Sequence, residues 1–416
     1  MTSSAPSSTA ADSEPHESAE TPRASLEHLW RRWGPAVALI TTMIAVAGIG
    51  IVVITSSDGG SPAPKPDIPL DAWAPYWGLD DSLAEFDDRV GSMREVSPFW
   101  FNATGVGSIE VDPNTPVGDA EAWLDVARSS DAAVVPSIVD SLPAGEMAAI
   151  LADPVTRTAH VETLLGFADE GDFDGLDINY EQFAFADGRD TWATTRPNWV
   201  AFIEELSAGL AADGRTLTVS IPPVYDAEQT GESGFWVYDH GAIAEYVDRI
   251  RIMAYDFSVG DPGPIAPLEW VETAITGTLA ATDAPDRLVL GLPAYGRNWP
   301  IATEGDCPPD DTPGRTTVTA RNVDDLVARR SALPQRNDAT GEWFFEYDLE
   351  LTDGTNTCVQ TRRVHYVDGD GIAERMDLAR EYQLDGVALW ALGFDSPAVW
   401  DAILPTVSDT SSTTGP

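Results

Sequence analysis

Two carboxylic acids and a carboxamide stand at alternating positions in the chain: Asp177, Asn179 and Glu181, within Asp174-Gly175-Leu176-Asp177-Ile178-Asn179-Tyr180-Glu181. The run closes a strand-like segment that opens with Phe173. Successive side chains of an extended strand point to opposite faces, so these three project to one side and Leu176, Ile178 and Tyr180 to the other. Crowding two carboxylates and an amide on one face costs stability unless the cluster does chemistry or is fully hydrogen-bonded. The chemistry open to paired carboxyl groups is proton transfer, which makes this a candidate active site. The structural alternative is that Asp177 and Asn179 are core polar residues satisfying one another.

The elements that must position such a cluster follow from the hydrophobic pattern. Strands are expected near Leu70 to Trp77, Val96 to Asn102, Ala132 to Val139, Phe173 to Glu181, Leu217 to Pro222, Arg249 to Asp256, Leu288 to Ala294 and Gly386 to Leu392. Between them lie helix-compatible stretches, such as Trp199, Phe202, Ile203, Leu206 and Leu210 on one helical face. Alternating strands and helices imply parallel strands joined by right-handed crossovers, and these eight units close into an α/β fold of the (β/α)8 TIM-barrel type. Catalytic groups of such barrels sit where strands end, as Glu181, Asp256 and Trp390 do in this assignment.

With those residues in place, the run resembles the D-x-x-D-x-D-x-E signature of glycoside hydrolase family 18, the chitinases and related N-acetylglucosaminidases. Asp174, Asp177 and Glu181 fit it, with Gly175 beside Asp174 as part of the structural motif, whereas Asn179 stands where the family has its third Asp. Met253-Ala254-Tyr255-Asp256 is similar to the family's M-x-Y-D strand end. Gly291 to Arg297, including Tyr295, resembles its seventh strand, and Gly386 to Trp390 its last. The resemblance covers roughly residues 70 to 405 and points to the bacterial cell-wall and spore-cortex branch.

The family is a recognised exception to two-carboxylate glycosidases, because the substrate's own N-acetyl group is the nucleophile. The resemblance implies that Glu181 protonates the glycosidic oxygen and then acts as base for water, with its pKa raised by apolar walls and the Asp177 charge. Asn179 can still accept the acetamido N–H but brings no charge to a positive oxazolinium, a loss that commonly costs about a hundred- to a thousandfold in rate. Tyr255 is implied to hydrogen-bond the acetamido group, Asp256 to hold a sugar hydroxyl and Trp390 to form the floor under the sugar. Met253, Tyr295 and Trp77 join the candidate substrate-binding set. Tyr76, Trp100 and Phe101 could line the groove or simply pack.

Composition bounds the setting. The formal charge of −44 makes a nucleic-acid or anionic-lipid partner for the folded part untenable. Ala36 to Thr55 carries no charge and no proline, about 30 Å of helix. It follows Trp30, Arg31, Arg32 and Trp33, so the expectation is a transmembrane helix over 34–55 with the N-terminus cytoplasmic and the rest outside, rather than a cleaved signal peptide. Residues 1–33 read as a disordered cytoplasmic tail, 56–69 as a Pro/Gly/Ser linker, 70–405 as the barrel and 406–416 as a disordered tail.

The gap between the seventh and eighth strands exceeds one helix. Trp343 to Tyr347 and Thr361 to Val367 alternate like antiparallel strands, matching the small α+β insertion many family members carry, here assigned to 300–369. Cys307 and Cys358, the only cysteines, fall inside it. In an extracellular domain they are expected to form a disulfide worth about 4 kcal/mol in the chain-entropy model. Asp368-Gly369-Asp370-Gly371 faintly resembles a calcium loop but reads better as a turn and helix N-cap. No histidine pairing or phosphate loop appears, so neither metal nor cofactor is expected. The combined expectation is a monomeric, membrane-anchored extracellular glycosidase acting with retention on a β-linked N-acetylglucosamine-containing glycan, peptidoglycan first and chitin-type second. The alternatives are a lectin-like barrel that binds sugar without turnover, and a tethered scaffold for a wall protein.

Overall fold

The computed structural model describes residues 67–226, 228–309 and 312–404. The tails, most of the linker and the apolar segment 36–55 lie outside the described residues. Among the described residues no helix is long and apolar enough to cross a membrane.

The main sheet is built from β1 (Leu70–Pro75), β2 (Glu95–Phe99), β3 (Phe101–Gly105), β4 (Ser108–Val111), β5 (Ala133–Val134), β6 (Ser137–Asp140), β7 (Gly175–Asn179), β8 (Thr216–Ile221), β9 (Arg249–Ile252), β10 (Leu288–Pro293) and a final strand, Gly386–Trp390. β2 and β3 are two parts of one run broken at Trp100, and β5 and β6 two parts of another broken at Val135-Pro136. β2 pairs in parallel with β1 on one side and β5 on the other, while β3 pairs in parallel with β6. The ladder therefore runs from β6 through β7, β8, β9, β10, the final strand and β1 back to β2, a closed TIM-like barrel with the β3–β4 hairpin as an appendage.

Helices cover the outside because one face of each strand is apolar. Leu176 and Ile178 of β7 and Leu217 and Val219 of β8 are completely buried. The helix Trp192–Ala212 buries Trp199, Phe202, Ile203, Leu206 and Leu210, the face anticipated from spacing. The inner face is different. At its bottom Asp71, Glu95, Thr218 and Arg251 are all buried, above them Trp73 packs with Val289 and Ala388, and Phe99 and Trp390 close that layer from the mouth.

Between β10 and the final strand the chain forms a second, antiparallel sheet of β11 (Tyr295–Gly305), β12 (Thr316–Thr319), β13 (Gln335–Asn337), β14 (Glu342–Thr352) and β15 (Thr357–Tyr366), so that the final barrel strand is β16. This sheet begins at Tyr295, earlier than the Pro300 expected, because β11 continues almost directly from β10. Val318, Val323, Leu326, Phe345, Val364 and Tyr366 give it a core of its own. Cys307 and Cys358 are disulfide-bonded, 51 residues apart in sequence, beside the Gly305–Cys358 register pair of β11 and β15. Asp368 caps the helix Gly369–Glu381 through Gly371 N at 2.9 Å, the turn-and-cap reading of that segment.

Candidate active site

β7 ends at Asn179, two residues before Glu181, and the reason is Asp140 at the end of β6. Its carboxylate accepts the backbone N–H of Glu181 at 2.7 Å and of Gln182 at 3.1 Å, so these amides turn away from the sheet and the chain enters the short helix Gln182–Phe185. Glu181 thus heads a helical turn at the barrel mouth. Likewise β9 stops at Ile252, leaving Met253, Tyr255 and Asp256 beyond the strand, with Asp256 in the left-handed region at φ 59°. Trp390 is the last residue of β16.

A cavity of about 1110 Å³ opens at this end, lined by Asn179, Glu181, Met253, Tyr255, Asp256 and Trp390 among others. Burial pushes the Glu181 carboxyl up to about 7; the Asn179 N–H draws it down, and the Asp140 and Asp256 charges raise it. The neighbouring charges are therefore those two, not the Asp177 expected from the sequence. Asp140 is itself pushed up to about 7 by burial, against the pull of the Gln182 and Glu181 amides.

Asp177 lies deeper, completely buried. It accepts from Trp73 Nε1 at 3.1 Å, Ser137 Oγ at 2.5 Å, Ser220 Oγ at 2.7 Å and Arg251 Nη1 at 3.3 Å. Asn179 donates through Nδ2 to Glu181 Oε1 at 3.0 Å and to the Ser220 carbonyl at 2.9 Å, with Met253 Sδ at 3.7 Å. Asp177 and Asn179 share no hydrogen bond among the described residues, so mutual satisfaction does not explain them. Asp174 sits at the other end of β7, accepting Val134 N at 2.7 Å. Gly175 is required for space, since a Cβ there would meet the Thr216 carbonyl oxygen at 2.4 Å.

Asp256 is engaged by the protein: it accepts from Tyr295 Oη at 2.5 Å and from Arg297 Nε and Nη2 at 2.9 and 2.6 Å. The phenols of Tyr255 and Tyr295 are held well above their usual range by burial first and by nearby carboxylates second. Trp390 meets Phe99, Trp73, Trp77 and Tyr255 at centroid distances of 5.0, 5.7, 6.3 and 6.5 Å. Trp77, Phe185 and Phe257 are about half exposed, at 50, 55 and 51%, and line the cavity. Trp100 and Phe101 are buried against Trp123 and Phe167 instead, so they pack rather than line the groove. Among the described residues no cluster of His, Cys, Asp and Glu is arranged to hold a metal ion.

Sequence reasoning missed Asp140, Trp73, Ser220 and Arg251. A signal existed for Arg251: Arg249-Ile250-Arg251-Ile252 alternates arginine with isoleucine, a strand with one charged inward face. For Asp140 and Ser220 nothing local marks them, because their importance arises from neighbouring strands.

A parallel barrel with a raised-pKa acid at its mouth has a site suited to acid–base chemistry, and the chain matches the model of glycosyl hydrolases family 18 over residues 114–395. It belongs to that family. The YdhD glycosylase of Bacillus subtilis (strain 168) is 28% identical over 258 residues, 60% of this chain and 54% of its own length. The cortical fragment-lytic enzyme of the same organism is 23% identical over 350 residues, 82% of this chain and 74% of that one. Among solved structures, a Chromobacterium violaceum chitinase superimposes with a TM-score of 0.65 at 24% identity, over 81% of this chain and 98% of its own. The Bacillus megaterium spore cortex-lytic enzyme SleL gives 0.65 at 18%, over 82% and 74%. These structural likenesses bear on the fold.

Proposed function

We propose that this chain is an extracellular glycosidase that cleaves β-linked N-acetylglucosamine-containing glycans with retention, using Glu181 as acid and then base. The observation that carries the reading is the Glu181 carboxyl, facing a large cavity and pushed up to about 7 mainly by burial, so that it holds a proton near neutral pH. In the first step that proton passes to the glycosidic oxygen as the C1–O bond breaks and the acetamido carbonyl oxygen closes on C1. In the second, the Glu181 carboxylate takes a proton from water, whose oxygen opens the oxazolinium at C1. Asn179 accepts the acetamido N–H, Tyr255 bonds the acetamido group, and the Trp390 ring supports the sugar. Asp256 acts with Tyr295 and Arg297 as a polar wall, its carboxylate still partly exposed for a sugar hydroxyl.

Peptidoglycan is the preferred substrate, supported by the likeness to a cortical fragment-lytic enzyme and by the apolar segment Ala36 to Thr55. The chain enters the barrel at Asp67, which pairs with Arg380 just before β1, at the face opposite the cleft. A membrane helix over 34–55 with the linker 56–69 would then leave the cleft facing outward, toward the wall. The test is turnover of N-acetylglucosamine oligomers and purified peptidoglycan by the full chain, beside Glu181→Gln, across pH and salt. Turnover abolished in Glu181→Gln supports the hydrolase. Sugar binding without turnover in the native protein at every condition overturns it in favour of a lectin-like barrel.

A further inference from the structure

Beneath Asn179, which stands where the motif has its third acid, the barrel interior is charged: Asp71, Glu95, Asp177 and Arg251 are all buried. Arg251 is completely buried on β9, with its guanidinium over the Trp73 ring at 5.0 Å. It donates to Ser97 Oγ at 2.7 Å and Asp177 Oδ2 at 3.3 Å, and it pairs closely with Glu95. Glu95 is held in turn by Arg249 Nη1 at 2.9 Å. From Asp177 the contacts continue upward: Ser220 Oγ donates to Asp177 Oδ1 at 2.7 Å, and the Ser220 carbonyl accepts Asn179 Nδ2 at 2.9 Å. Asn179 Nδ2 then reaches Glu181 Oε1 at 3.0 Å. One continuous polar column therefore runs from the barrel floor to the acid.

Its chemistry admits a single amide orientation. A backbone carbonyl can only accept, so the nitrogen of Asn179 must face Ser220, and both its N–H groups are then committed to Ser220 and Glu181. The Oδ1 atom has no partner among the described residues and is not sealed in the core, which leaves it as the side chain's open acceptor on the cavity. A carboxylate at this position could exchange a proton, which an amide cannot, and a turned amide here would set Oδ1 against the accepting Ser220 carbonyl.

We infer that Ser220 and Arg251 are positioning residues: with Asp177 they form a fixed column that holds the Asn179 amide in one rotamer, nitrogen toward Glu181 and oxygen toward the N-acetyl group of the glycan. The site then works with a preset, non-ionising acceptor, its orientation secured in advance by the buried Arg251–Asp177 pair and the hydrogen bonds above it. This inference rests on the hydrolase reading.

The test uses the full chain with Ser220→Ala and Arg251→Lys. Turnover of N-acetylglucosamine oligomers is followed together with the NMR signals of the Asn179 side-chain amide, assigned by their loss in Asn179→Asp. Ser220→Ala keeps the accepting carbonyl but cuts its hydroxyl tie to Asp177; the expected result is kcat down about tenfold with KM changed less than about twofold, and shifted, broadened Asn179 amide signals. Arg251→Lys, which keeps the charge but not the forked geometry, is expected to give an intermediate kcat. Native kcat and unmoved Asn179 signals in folded Ser220→Ala overturn the column, and that variant decides alone if Arg251→Lys does not fold. If the native chain shows no turnover while the Asn179 signals still move in Ser220→Ala, the column stands and the hydrolase reading falls.

Discussion

Asp140 Oδ1 accepts the backbone N–H of Glu181 at 2.7 Å, so the residue that ends one barrel strand sets the backbone of the acid on the next. The same carboxylate is one of the two charges that raise the Glu181 pKa. One side chain thus couples placement of the acid to its protonation.

Glu181→Gln keeps the shape of the side chain and its contact with Asn179 but has no proton to give. Turnover is expected to fall about a thousandfold, with oligosaccharide binding retained, as measured by calorimetry beside initial rates.

Activity that needs protonated Glu181 is present below about 7 and declines as pH rises through that value. Asp140→Asn removes a charge that raises the Glu181 pKa, so the alkaline limb of kcat/KM is expected to move to lower pH. An unmoved limb in a folded variant would assign that limb to another group.

Asn179→Asp acts in the opposite direction. It deletes the N–H that draws the Glu181 pKa down and places a carboxyl oxygen where Nδ2 stood, 3.0 Å from Oε1. The alkaline limb is expected to move up. Faster turnover at low pH would show that the native amide restrains the rate, and a slower rate that the site is built around it.

Stability should fall as pH rises. Glu95, Asp140 and Glu181 are each pushed up to about 7, in every case chiefly by burial. Between their ordinary values and about 7 the folded chain holds protons that the unfolded chain has released. Their contribution is complete below the unfolded values and lost through about 7, so thermal melts should show a lower Tm at about pH 8 than at about pH 5, with a flatter profile in Glu95→Gln.

Cutting the Cys307–Cys358 bond by a double Ser substitution is expected to cost about 4 kcal/mol in denaturant unfolding. The first protection lost in hydrogen exchange should lie in β11 and β15, whose paired ends the bond joins.

Much of this protein was legible in the order of its residues. Strand positions followed from β-rich apolar runs of the right length, and the alternation of Asp177, Asn179 and Glu181 with Leu176, Ile178 and Tyr180 identified one polar and one apolar face, because side-chain period is a property of the backbone alone. The motif also brought Tyr255, Asp256 and Trp390 to one cavity, as strand ends in a parallel barrel must converge. What the tertiary structure decided is which groups those residues meet. Asp140, Ser220 and Arg251 reach the site across strands, 41 to 74 positions from the motif residues they serve, as in Asp140 to Glu181 and Asp177 to Arg251. No local pattern encodes such pairings, since they depend on barrel register and on burial, which together determine where a carboxyl loses its water and which charges face it. The Glu181 proton near neutral pH and the orientation of the Asn179 amide are therefore properties of the closed barrel, although every atom involved is already named in the sequence.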